Sequence, residues 1–183
     1  MTPFSLHGIG VSNGIAIGRA HLISNALLEV VQYDIDIKNI PHEIKRFEDA
    51  IAAVRIELNK IKSQLPSDSP GELGAFIDTH IMILNDKSLS VLPKSIIENE
   101  KCNAEWAIKK QMDSVVNQFE QIEDQYLRER KQDVIQVVER VIKILLGHSN
   151  QIAVKNKEKL TILVAHDISP ADALHFKNHK YAA

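Results

Sequence analysis

The side chains most able to do chemistry are eight histidines and one cysteine in 183 residues. His80, in Asp78-Thr-His-Ile-Met82, invites a catalytic reading because imidazole titrates near neutrality. At about 100° per residue on a helix it falls among Leu73, Phe76, Ile77, Ile81 and Leu84. That is a buried stripe, so a hydrogen-bonded core histidine is the stronger reading. His42, His148, His175 and His179 have no partner at a ligand spacing, so no metal site is expected. Cys102 has no His or Cys companion close in sequence and should be inert, and a single cysteine forms no intrachain disulfide. Gly8, Gly10, Gly14 and Gly18 suggest a phosphate loop, but their spacing is not G-x-G-x-x-G and no fair-length strand precedes them. Tight turns and close backbone packing account for them.

The opposite side of the His80 helix is more informative. Ala75, Thr79 and Met82 cluster there, with Ile83 on the flank. Small and apolar residues with a flexible methionine suit a docking surface, although a neighbouring helix covering this side would give the same pattern. Further along, residues 123–133 are nearly all polar, which usually marks a solvated face. Tyr126 and Arg130, one turn apart, could present an anchor and a guanidinium to a partner.

These residues need elements to hold them. Residues 4–33 read as strands and turns. Ile40, Ile44, Phe47, Ile51, Val54, Leu58, Ile61 and Leu65 are spaced four and three apart, a heptad seam, with Pro41 where a first turn tolerates it. Pro66, Ser67, Ser69, Pro70 and Gly71 break this helix. Ser69-Pro-Gly-Glu72 forms a capping box for a second helix to about Leu84. A short segment over residues 86–99 follows, kinked or restarted by Pro93. Asn103 can cap a long helix with a seam of Ile108, Met112, Val115, Phe119, Ile122 and Tyr126. The polar run should break it. The seam resumes at Val134, Val138, Val141 and Leu145, antiparallel to the first half, and Gly147 is a stop. Residues 160–165 are an apolar strand, Ser169 and Pro170 could begin a helix, and residues 180–183 read as the opening of another strand. The strands at the two ends should pair, which makes the helices an insertion, and the reading frame is expected to continue.

The net charge of −2 gives no footprint for nucleic acid. No apolar run reaches the roughly 18 residues of a membrane span, and the opening lacks a secretory layout. A soluble cytoplasmic chain is the expectation. Pattern reasoning reaches a helical bundle with one candidate docking face and stops short of a reaction.

Several stretches resemble Enzyme I, the phosphoenolpyruvate–protein phosphotransferase family. They are Gly8-Ile-Gly-Val-Ser-Asn-Gly-Ile-Ala-Ile-Gly-Arg-Ala20, Phe76-Ile-Asp-Thr-His-Ile-Met-Ile-Leu84, Asn103-Ala-Glu-Trp-Ala107, Asp124-Gln-Tyr-Leu-Arg-Glu-Arg130 and Ile162-Leu-Val-Ala-His-Asp-Ile-Ser-Pro-Ala-Asp172. Each is modest alone; the ordered set covers nearly the whole chain. The resemblance implies an α+β fold: an antiparallel helical hairpin bundle of the HPr-binding type, residues 35–148, inserted in a truncated α/β phosphohistidine (swivelling) domain, residues 1–34 and 149–183. It implies docking of the phosphocarrier HPr through Ala75, Thr79, Met82, Ile83, Asp86, Leu89, Tyr126 and Arg130. The family's phosphohistidine lies in a Gly-Gly-x-Thr-Ser-His segment absent from this sequence, so no catalytic residue carries over and the chain alone should be inactive. Phosphoenolpyruvate and magnesium are implied for a later domain of the parent enzyme, and no cofactor for this chain. A monomeric fragment of a homodimeric parent is expected, and the opening directly at the signature points to sugar uptake rather than nitrogen regulation. The competing readings are a coiled-coil scaffold without phosphotransfer and a swivelling domain of a pyruvate-dikinase relative, which is not expected to carry this insert.

Overall fold

The computed structural model describes residues 5–22, 30–66, 71–147 and 160–165, together with Ile168 and Tyr181. Residues 5–18 run without regular structure into β1 (Arg19–Leu22), which pairs in parallel with β2 (Thr161–Val164). The register sets Arg19 opposite Thr161 and Leu22 opposite Val164. A parallel pair needs a long crossover, and the helices supply it. Gly18 permits the approach: a Cβ there would stand 2.5 Å from the Leu160 carbonyl oxygen, which accepts the Arg19 N–H at 2.9 Å. Tyr181 bridges Thr161 in parallel on the side away from β1.

Helix α1 (Ile40–Ser63) carries the first seam, with Pro41 in its first turn. Phe47, Ile51, Val54 and Leu58 are buried, and Ile40, Ile44, Ile61 and Leu65 pack partly buried at the two ends. Helix α2 (Gly71–Asn85) buries Ile77, His80 and Leu84, as the wheel predicts. Its capping residue Ser69 lies outside the described residues. Two bonds pin α2 antiparallel on α1: Lys62 to Asp78 at 2.6 Å and Arg55 to Asn85 at 3.0 Å. The short third segment is two helices, α3 (Lys87–Ser90) and α4 (Leu92–Glu100), with Pro93 in the first turn of the second. Pro93 thus restarts the helix.

Helix α5 (Ala104–Glu120) begins after Asn103, whose side chain does not cap it. The polar run breaks the seam as expected. Helix α6 (Gln125–Glu129), capped by Asp124, is followed by α7 (Lys131–Leu145), which packs back along α5 and α1. Gly147, at φ 73°, ends this segment in a conformation that favours glycine. One contiguous core, mostly aliphatic with Phe47 among it, draws on α1, α2, α5 and α7 and on Leu89 of α3 and Ile97 of α4. The helix expected after Ser169 lies outside the described residues.

Candidate docking site

Helix directions place Ala75, Thr79, Met82 and Ile83, with Tyr126 and Arg130, in the half of the bundle away from Arg46, and Asp86 and Leu89 nearer its middle. Asp78 lies level with Lys62, and Asn85 with Arg55, so the first half of α2 sits beside the far end of α1. Helices α5 and α7 start and finish at the opposite end, where Arg46 bonds Glu105 and the Leu145 carbonyl. The turn between them, α6, is therefore distal as well. Helix α2 also packs on α7.

On α2, Ala75 is exposed and Met82 keeps 67% of its surface in water. Thr79 is partly exposed, and its hydroxyl donates to the Ala75 carbonyl at 3.0 Å. Ile83 is half-buried against the core. The side of α2 that sequence left open between partner and neighbouring helix is thus uncovered at Ala75 and Met82 and partly covered at Ile83. Asp86 is exposed and caps α3, accepting the Ser88 N–H at 2.8 Å. Hydrogen bonds from the Ser88 side chain and backbone hold its carboxyl below the usual carboxylate range.

Leu89 departs from the expected set. It is 2% exposed and belongs to the core. The α3 turn capped by Asp86 points it inward, beneath the surface.

Tyr126, 62% exposed, and Arg130 stand together on the distal turn. The guanidinium donates to the Tyr126 hydroxyl, lies 4.7 Å from the ring centroid and pairs with Asp133 at 3.2 Å. The bonds to Tyr126 and Asp133 raise its pKa further. A guanidinium stacked on an aromatic face keeps its planar fork preorganised.

His80 is fully buried, with its ring 4.1 Å from that of Phe76. A general acid or base needs access to a reacting group, so the core placement removes it from surface chemistry. Among the described residues no group of three or more His, Cys, Asp or Glu is arranged to hold a metal. Sequence reading missed a second cluster, at the proximal end: Glu43, Arg46, Asn103 and Glu105. The i,i+3 spacing of Glu43 and Arg46 beside the α1 seam was its one local signal.

The family model described as PEP-utilising enzyme, N-terminal, matches residues 7–130. The phosphoenolpyruvate-protein phosphotransferase of Cupriavidus necator is 47% identical over 96% of this chain and 31% of its own length. That of Listeria monocytogenes is 32% identical over 91% of this chain and 29% of its own. This chain therefore spans just under a third of these relatives. A solution structure of an Enzyme I protein (nEIt) superposes with a TM-score of 0.69 at 27% identity, covering 89% of this chain and 65% of that one. A structure described as the N-terminal domain of Enzyme 1 - Nitrogen gives the same TM-score at 20% identity, a likeness of fold alone. With the family model spanning more than half of its residues, the chain belongs to the N-terminal region of the PEP-utilising enzymes, in the phosphoenolpyruvate-protein phosphotransferase (Enzyme I) branch.

Proposed function

We propose that this chain is the HPr-docking part of a phosphoenolpyruvate–protein phosphotransferase. In this reading residues 35–148 form the docking bundle, inserted between residues 1–34 and 149–183 of an α/β phosphohistidine domain. The parent enzyme passes phosphate from phosphoenolpyruvate to HPr through a histidine outside this chain. The magnesium of that reaction likewise belongs to another part of the parent. The observation that carries the reading is the exposed apolar patch around Met82 at the distal end of the bundle, at the same end as the Tyr126–Arg130 pair.

The chemistry of the patch suits a transient carrier. Phosphotransfer requires repeated release, so the interface is of the weak-encounter class, below roughly 1,200 Å². Ala75 lets a partner backbone approach closely, and Met82 adapts to its surface. Arg130 at the rim orients the partner and speeds encounter more than it adds affinity. Met82→Glu buries a charge in that interface while leaving the core untouched. Calorimetric titration with HPr should lose its signal although circular dichroism stays that of wild type. Wild-type affinity in the folded variant would remove this face from the docking site.

A further inference from the structure

A cleft of about 300 Å³ opens between α1 and the α3–α4 corner, and it shares no residue with the docking set. That volume lies at the small end of the range for small-molecule sites. Phe47 and Ile51 of α1, both buried, close its floor. Ala52, exposed, and Val91, 43% exposed, are its apolar walls. Ile56, 70% exposed, lies one turn beyond Ala52 and continues the apolar strip along α1. The polar groups of the cleft are unequal. At one end the Lys94 ammonium pairs with Glu48 at 2.9 Å and neutralises it. The half-buried Ser90 hydroxyl is turned to the Asp86 carbonyl, to which it donates at 2.8 Å. At the other end, two turns further along α1, stands Arg55. Its Nε donates to the side-chain oxygen of Asn85 at 3.0 Å. Among the described residues no acid pairs with Arg55, and neither of its Nη groups is used.

A guanidinium held through Nε is fixed in orientation and presents its two Nη groups as a fork that matches the two oxygens of a carboxylate. With Glu48 and Lys94 cancelling each other, the cleft keeps one positive charge beside apolar walls. We propose that it binds a small organic carboxylate with a compact apolar body, the carboxylate on the Nη edge of Arg55 and the body against Ala52 and Val91. Both halves of that description are required. A fully hydrophilic anion would leave the apolar walls wet, and a neutral apolar molecule would leave the fork of Arg55 unused. HPr enters neither the argument nor its test, so a failed test leaves the docking reading standing.

Benzoate is the probe. Titrated into the isotopically labelled chain at constant ionic strength, it should give saturable amide shifts confined to residues 47–55 and 90–94, in the millimolar range that so few atoms allow. Benzamide has the same ring without the charge and should bind roughly fivefold more weakly. Arg55→Met keeps the aliphatic stem and removes the fork. It should weaken benzoate by a similar factor with helical circular dichroism unchanged, because Arg55 is exposed. Ala52→Phe places a ring in the cleft from an exposed position and should abolish the shifts, so it decides the matter should Arg55→Met fail to fold. Shifts that scatter over the surface or do not saturate, equal affinity for benzamide, or wild-type affinity in either folded variant would overturn the assignment.

Discussion

Replacing Arg46 with methionine removes five hydrogen bonds at once: two to Glu43, two to Glu105 and one to Leu145. Breaking a buried ion pair from one side costs about 3–5 kcal/mol, since the remaining charge stays buried and uncompensated. The Arg46 side chain keeps 28% of its surface in water, against 9% for Glu43 and 6% for Glu105, so the lower end, about 3 kcal/mol, applies. At this chain length each kcal/mol shifts the melting temperature by about 2–4 °C, giving a fall of roughly 6–12 °C. The pH dependence carries the mechanism. In the native protein burial pushes the Glu105 carboxyl up, but hydrogen bonds from Arg46 and Asn103 outweigh it and hold it below the usual range. Its contribution is therefore complete above the unfolded value, about 4.3, and is lost as pH falls through the lower folded value. Without Arg46 the sign reverses. Glu105 keeps the burial, loses its strongest donor and gains Glu43 as an uncompensated neighbour, so its pKa rises. The folded variant then binds protons more readily than its unfolded chain, and its stability climbs as pH falls from 7 toward 5. Urea unfolding followed at 222 nm at pH 7, 6 and 5 should show a gap to wild type that narrows steadily. A gap under 1 kcal/mol at pH 7, or one that does not change with pH, would refute the reasoning.

Other perturbations separate core from surface. Leu89→Ala should cost about 2–5 kcal/mol in stability and weaken HPr binding only through the unfolded fraction, because the side chain is in the core. His80→Ala opens a cavity beside Phe76 and should lower stability by roughly 2–4 kcal/mol while the folded protein keeps its HPr affinity. Gly18→Ala drives a Cβ against the Leu160 carbonyl, so the Arg19 amide should lose its protection from hydrogen exchange while amides of α1 and α7 keep theirs.

What the sequence disclosed depended on the range of the interaction. The α1 seam and the buried stripe of α2 follow from periods of three and four residues, and Phe47, Val54, Ile77 and His80 lie where the wheel sets them. Pairing between the chain's two ends was legible because residues 160–165 form a short apolar run bounded by polar sequence. Other features required partners that no local pattern reveals. Ile15 and Ile17 alternate as a strand would, yet among the described residues the strand pairing with β2 spans Arg19–Leu22 alone. Asn103 reads as a helix cap, but its side chain goes to residues 31, 33 and 105 instead. Arg46 meets Glu105 and Leu145 across 59 and 99 residues, a distance at which charge patterning says nothing. The resemblance names Leu89, and no periodicity could show that it is buried, because the direction of a four-residue helix is set by its cap at Asp86.

The docking reading is tested most directly by titrating the isotopically labelled chain with unlabelled HPr and following every amide by NMR. The shifts should gather on α2 from Ala75 onward, at Asp86 just after it, and on the distal turn at Tyr126 and Arg130, in fast exchange as a weak encounter requires. The buried amides of α1 and those of β1 and β2 should stay unmoved. Shifts confined to the β1–β2 sheet or the proximal end, or none at saturating HPr, would contradict the account.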